Sequence, residues 1–252
     1  MATVLITGAS SGLGEEFAWQ LATQGRDLVL VARSRERLER LARYLRSAAG
    51  VNVEVLVADL ADAAQTDAVA RRVADPEHPV DLLINNAGLG QGVDFVDNSL
   101  ESELAALDVM VRAVMVLSHA AATAMRSRGR GAILNVSSVA GWLGSGTYSA
   151  HKAWVSAFTE ALAGELRGSG VSATAVLPGL THTHFHDAAG LDSFDRFPEW
   201  AWLHADAVVE QALRAVRRKQ VWVTPSVRYG VVGGAARVAP RALVRALGHG
   251  MR

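Results

Sequence analysis

Seven short runs rich in Val, Ile and Leu recur along the chain, at residues 3–6, 28–32, 51–57, 80–84, 132–136, 171–177 and 221–223. Their continuity, in place of alternation, is the pattern of strands covered on both faces. Segments with helical spacing lie between them at 13–23, 35–47, 63–73, 100–126, 148–167 and 205–217. Strand alternating with helix joins the strands in parallel through right-handed crossovers and puts helices on both faces. The expected fold class is α/β: a doubly wound seven-stranded parallel sheet in a three-layer α/β/α arrangement. No repeat, low-complexity tract or Pro/Ser-rich linker marks a second domain, and 252 residues suit one large α/β unit.

Composition narrows the partners. The chain carries 25 basic and 25 acidic residues, so its overall field does not favour nucleic acid. It has no cysteine, which excludes disulfides and thiolate chemistry. The start, Met1 to Ile6, lacks the positive and long apolar stretches of a signal peptide, and no apolar run reaches the roughly 18 residues of a membrane helix. A soluble, cytoplasmic protein acting on small molecules is expected.

The first strand passes directly into Thr7-Gly8-Ala9-Ser10-Ser11-Gly12-Leu13-Gly14. Glycines at a strand-to-helix turn let the backbone approach a pyrophosphate and leave amide donors at a positive helix end. Ala32 and Arg33 stand where an acid would bind the adenosine ribose of NAD, with Arg35 close by. A guanidinium there suits a 2′-phosphate, which points to NADP(H), although Arg33 and Arg35 also fit the solvated start of a charged helix. Asp59 and Leu60 follow the third strand within reach of an adenine edge. Asn85, Asn86, Ala87 and Gly88 follow the fourth, where small residues let a cofactor pass and amide side chains tie loops together.

Tyr148 and Lys152 are four residues apart and leave one face of a helix. The ammonium is placed to stabilise a phenolate and make the phenol a general acid. Moving its pKa from near 10 toward neutrality by roughly three units takes about 4 kcal/mol.

Together, Thr7-Gly8-x-x-x-Gly12-x-Gly14, Asn86-Ala87-Gly88, Asn135-Val136-Ser137-Ser138, Tyr148-x-x-x-Lys152 and Pro178-Gly179 followed by Thr183 resemble the short-chain dehydrogenase/reductase family, from residue 3 to about 225. The resemblance implies a Rossmann-type fold and, with the NADP(H) preference read from Arg33, interconversion of a carbonyl and an alcohol by hydride transfer. It implies that Ser138 polarises the substrate oxygen, Tyr148 acts as acid/base and Lys152 holds the nicotinamide ribose. Thr181 or Thr183 would help hold the carboxamide. Ser137 competes with Ser138, which is preferred as the second serine of the pair.

Two departures stand out. The family presents an Asn from the helix before the serine strand to hold a relay water, and the aligned position here is Met110, whose thioether does not donate a hydrogen bond. The alternative reading is therefore a catalytically weakened sensor or scaffold that binds a dinucleotide. The stretch between Ser138 and Tyr148 is also short, carries Gly141, Gly144 and Gly146, and is expected to leave one pocket wall open.

The organisation expected is a unit at 1–225 that includes a substrate lid at 184–204, then a basic extension at 226–252. Phe185, Leu191, Phe194, Phe197, Trp200, Trp202 and Leu203 in the lid suit either a large apolar substrate or a satellite core. His182, His184, His186 and Asp187 lack recognised metal-ligand spacing, and no metal is expected. His151 is expected to be exposed on its helix. The extension holds Arg228, Arg237, Arg241, Arg245 and Arg252 without an acid. Packing on the lid or a subunit contact is preferred for it over attraction to an acidic membrane. Family resemblance also suggests a homodimer or homotetramer through Met115, Leu117, Trp154, Phe158 and Leu162, with burial inside the monomer as the alternative.

Overall fold

The computed structural model describes residues 2–90, 93–183 and 198–240. Its sheet has the order β3-β2-β1-β4-β5-β6-β7, and every neighbouring pair is parallel. The strands are β1 (Thr3–Thr7), β2 (Asp27–Ala32), β3 (Val53–Val57), β4 (Val80–Asn85), β5 (Gly131–Val136), β6 (Val171–Val176) and β7 (Trp222–Val223). Each expected strand is present, with ends shifted by at most two residues. The order reverses between β1 and β4, and the crevice above their carboxyl ends is where such sheets bind ligands.

The helices are α1 (Gly12–Thr23), α2 (Arg35–Ala49), α3 (Ala63–Ala74), α4 (Leu100–Leu107), α5 (Ala113–Arg128), α6 (Gly146–Glu165), α7 (Ala205–Arg217) and α8 (Val227–Val238). Local chemistry sets several starts. Ser34, Asp62 and Ser99 accept the amides of Arg37, Gln65 and Ser102, capping α2, α3 and α4. Two apolar layers flank the sheet. One gathers Phe17, Leu21, Leu38, Leu45 and Leu213 against Ile6 and Leu30. The other packs Val69, Met110, Leu117 and Met125 against Leu5, Leu83 and Ile133.

The helix expected across 100–126 is interrupted by a π-turn at Asp108–Arg112. The whole stretch Leu100–Arg128 is long and apolar enough to cross a membrane by length and composition, but its inner face is a layer of this core, with Met110, Leu117 and Met125 at most 1% exposed. α8 has no counterpart among the sequence-derived helices. It packs on the 3-10 turn Val139–Trp142 that follows β5.

Candidate active site

Four loops meet over the carboxyl ends of β1, β4, β5 and β6. The first two are bound to each other. Thr7, 1% exposed, donates its hydroxyl to the Ile84 carbonyl at 3.3 Å and accepts the amides of Asn86 and Ala87 at 3.0 and 3.1 Å. Asn86 returns its side-chain amide to the Thr7 and Gly8 carbonyls at 3.0 and 3.3 Å. This tie leaves no room for side chains. A Cβ on Gly14 would stand 2.1 Å from the Gly8 carbonyl oxygen, and one on Gly8, whose φ is +65°, 2.9 Å from Ala87 Cα. Ser11 stands at the N-cap of α1 without a side-chain cap, unlike the caps of α2, α3 and α4. Among the described residues its first-turn amides have no side-chain cap, which suits a diphosphate. Ser10, Gly12 and Leu13 complete the turn.

The other nucleotide positions take different parts. Arg33 is exposed beyond β2 and makes no ion pair among the described residues; Arg35 next to it is likewise exposed. Asp59 accepts the Ala61 amide at 3.0 Å, which ties its carboxylate into its own turn, and Leu60 is buried in the core. After β6, Thr181 is 4% exposed and turns its hydroxyl back to the Gly179 carbonyl at 3.0 Å. Thr183 faces the Gly-rich turn, its Cβ 3.3 Å from where a Gly12 Cβ would lie.

Beneath the crevice the two serines separate. Ser137, 2% exposed, donates to the Lys152 carbonyl at 2.7 Å and lies 2.8 Å from the Ser156 hydroxyl, so it serves the seam between β5 and α6. Ser138 is half-buried at the crevice, accepts the Ala140 amide at 3.1 Å and is hydrogen-bonded to the Tyr148 hydroxyl. Lys152 is 4% exposed; its Nζ donates to the Val136 carbonyl at 2.8 Å and lies 5.7 Å from the Tyr148 ring centre.

The electrostatics correct one expectation. Burial pushes the Tyr148 phenol up to about 12, against the opposing pull of its Ser138 hydrogen bond, and burial pushes the Lys152 amine down to about 8. Desolvation of both groups outweighs the tuning toward neutrality that their spacing suggested. A second correction concerns His151. It is 9% exposed, not a solvated helix residue, and its Nδ1 has no hydrogen-bond partner among the described residues. Burial lowers its pKa, Glu103 opposes that shift and Lys152 adds to it.

Met110 sits in the π-turn, 1% exposed. A Cβ placed on Gly88 would lie 3.9 Å from its sulfur and 3.7 Å from Lys152 Nζ, so the thioether and the ammonium flank the same glycine. Below them runs a polar network the motifs only hinted at. Asn85 donates to the Ser118 hydroxyl at 3.1 Å and to Asn135 Oδ1 at 2.9 Å, and Asn135 donates to the Thr159 hydroxyl at 2.9 Å. All four residues are at most 3% exposed.

α8 packs against the short stretch that follows Ser138 and against the loop after β6. Tyr229 lies against Gly179, accepts the Leu180 amide at 3.3 Å and donates to the Ala201 carbonyl at 2.8 Å. Trp142 lies on Gly233, where a Cβ would come within 2.1 Å of its ring. Only a glycine admits each ring. Of the lid residues, Trp200, Trp202 and Leu203 are described; Phe185, Leu191, Phe194 and Phe197 lie outside the described residues, as do His184, His186 and Asp187. His182 is 2.8 Å from the Glu199 carboxylate and stacks on Trp202 at 4.9 Å. No group of three His, Cys, Asp or Glu able to hold a metal occurs among the described residues.

Comparison with known proteins agrees with this arrangement. The short chain dehydrogenase family model matches residues 2–192. An NADP-dependent 3-hydroxy acid dehydrogenase of Schizosaccharomyces pombe is 34% identical over 188 residues, covering 73% of each chain. A short-chain dehydrogenase from Sphingobium yanoikuyae, solved in complex with NADPH, superposes with a TM-score of 0.86 at 38% identity over 94% of both chains. The bulky-bulky ketone specific alcohol dehydrogenase from Comamonas testosteroni gives 0.81 at 32% identity, over 94% of this chain and 92% of its own. The chain belongs to the short-chain dehydrogenase/reductase family. It is an oxidoreductase of alcohol or carbonyl groups that uses a nicotinamide dinucleotide.

Proposed function

We propose that the protein is an NADP(H)-dependent reductase, or the reverse dehydrogenase, of an apolar ketone or aldehyde. The observation that carries the reading is the hydrogen-bonded pair of Ser138 and Tyr148 hydroxyls at the crevice with the buried Lys152 ammonium behind them. Bound in the crevice, the nicotinamide supplies or accepts the hydride. Ser138 donates to the substrate oxygen as charge develops there, and Tyr148, held protonated by burial, gives that oxygen its proton. Lys152 stabilises the phenolate that remains. Thr183, facing Gly12, is the better placed of the two threonines to hold the carboxamide.

Arg33, exposed beyond β2 where no carboxylate stands, supports NADP(H) over NAD(H). The NADPH complex of the Sphingobium relative supports the same preference, and the Comamonas enzyme's bulky ketones support a large apolar substrate. A homodimer is proposed through α4, α5 and α6. Leu104, Leu107 and Met115 are 50%, 41% and 47% exposed there, beside the stacked Trp154 and Phe158, whereas Leu117 is wholly buried and Leu162 packs on the core.

The test is NADPH oxidation over a panel of carbonyls with Tyr148→Phe as control, together with calorimetry of NADPH and NADH. Turnover that disappears in Tyr148→Phe and tighter NADPH binding are expected. Tight NADPH binding without turnover on any carbonyl would favour the sensor or scaffold reading, and a preference for NADH would remove the role of Arg33. Light scattering that gives only monomer at micromolar concentration would refute the dimer.

A further inference from the structure

One hydroxyl joins three segments that are distant in sequence. Tyr229 Oη, on α8, accepts the Leu180 amide at 3.3 Å and donates to the Ala201 carbonyl at 2.8 Å. Its ring fills the place of the side chain that Gly179 lacks, with ring atoms 2.2 Å from where a Cβ would stand. Leu180 is held from its other side too: its carbonyl accepts the Leu203 amide at 2.8 Å, and the His182 amide reaches the Leu203 carbonyl at 2.9 Å. At the two ends of this loop, Pro178 accepts the Val139 amide at 3.0 Å and Thr183 faces Gly12.

A phenol suits this post. It carries one donor and one acceptor at the end of a rigid ring, so a single side chain satisfies an amide and a carbonyl from two different segments. Gly233, one turn further along the same face of α8, admits the Trp142 ring, and α8 thereby also bears on the turn that follows Ser138. One helix touches both the segment behind the oxygen-polarising hydroxyl and the loop that carries Thr181 and Thr183. Hydride transfer depends on the relation between those two, and a misplacement of about 1 Å can cost about a hundredfold in rate.

We propose that Tyr229 is a positioning residue for the cofactor: it holds the loop after β6 in the arrangement that receives the nicotinamide half of the dinucleotide. The inference rests on the reading of Thr183 as the carboxamide contact. The Tyr229 hydroxyl is engaged with backbone groups on both sides, so it acts through the loop. It keeps Leu180 to Thr183 ordered before binding, and the cofactor then loses less affinity to organising them. The adenosine half, which the Gly-rich turn and the end of β2 receive, is indifferent to this hold.

Calorimetric affinities of NADPH and of its fragment adenosine 2′,5′-bisphosphate, on wild type and Tyr229→Phe, separate this role from a general loss of structure. Phenylalanine keeps the ring on Gly179 and removes both hydrogen bonds. NADPH affinity should fall about five- to tenfold, while affinity for the fragment stays within about twofold. Arg228→Ala is the control, since it frees the Trp200 carbonyl at the same end of α8 and leaves the loop after β6 alone; it should change neither affinity. In the wild type, NADPH should slow amide hydrogen exchange across 180–183 and the fragment should not. Equal losses for NADPH and the fragment, no loss of either, or an Arg228→Ala effect as large as that of Tyr229→Phe would each overturn the proposal. So would exchange across 180–183 that is indifferent to NADPH. A wild type that prefers NADH counts against the cofactor reading alone, because the same ratio is then taken between NADH and AMP, and absence of turnover leaves every one of these measurements in place.

Discussion

Lys152→Met should make the protein more stable and less active. The buried amine is held near 8 against an ordinary 10.5, so keeping it charged in the fold at pH 7 costs about 3 kcal/mol at 1.36 kcal/mol per unit. Methionine fills similar space without the charge but deprives the Val136 carbonyl of its donor, at about 1–2 kcal/mol. The net gain is about 1–2 kcal/mol, which for a chain of this size raises the melting temperature by roughly 3–6 °C. Turnover should fall by about 10²–10⁴-fold, as expected for a removed acid–base partner. The sign reverses with pH. Below 8 the lysine is charged in both the folded and unfolded states and the wild type bears the full cost. Between 8 and 10.5 the unfolded chain binds a proton that the folded one does not, so wild-type stability rises relative to the variant. Near 10.5 the cost is gone, the hydrogen bond remains, and the wild type becomes the more stable. Tyr148 is present in both proteins and its own titration largely cancels. Calorimetric melting of the cofactor-free proteins from pH 7 to 10.5 measures the difference. A variant that melts below the wild type at pH 7, or a gap that does not change with pH, would refute the reasoning.

Ser138→Ala should lower kcat about 10²–10³-fold with little change in melting temperature, while Ser137→Ala should cost about 1–3 kcal/mol of stability and keep activity within tenfold; the opposite pattern in paired melting and rate measurements would exchange their roles. Gly14→Ala drives a Cβ into the Gly8 carbonyl, so it should destabilise by about 1–3 kcal/mol and weaken NADPH binding, and unaltered calorimetric affinity would contradict the tight turn described. Met110→Asn should raise NADPH-dependent turnover beside Lys152 while lowering the melting temperature, since an amide replaces a thioether in a buried site. An unchanged or lower rate in stopped-flow assays would remove the idea that the thioether impedes the proton path.

Much of the framework could be read from local pattern. A strand covered on both faces must be apolar throughout, so β1 to β6 announced themselves, and the loops after β1, β4, β5 and β6 carried their motifs to one edge of the sheet. What escaped depends on contacts distant in sequence. Gly233 and Tyr229 are ordinary residues in a weakly patterned helix until Trp142 and Gly179 are brought against them, some 90 and 50 residues away. The π-turn leaves no mark in the apolar spacing of 100–126. His151 lies on a helix that meets α4, where Glu103 acts on its titration, and that proximity is not visible in its own helical spacing. The pKa values missed for a related reason: spacing shows that a cation faces a phenol, but desolvation depends on everything packed around both.

The amide pair between β4 and β5 has a consequence for how the chain assembles. Asn85 stands opposite Asn135 in the strand register, and the apolar residues beside them on these strands are otherwise nearly interchangeable. A slide of either strand by one residue would still bury Leu, Ile and Val, but it would strand two amides in the middle of the sheet, at about 1–3 kcal/mol for each unsatisfied group. The pair thus favours a single register between segments 50 residues apart, whether or not a ligand is present. The loops that hold the reacting groups inherit their alignment from that register.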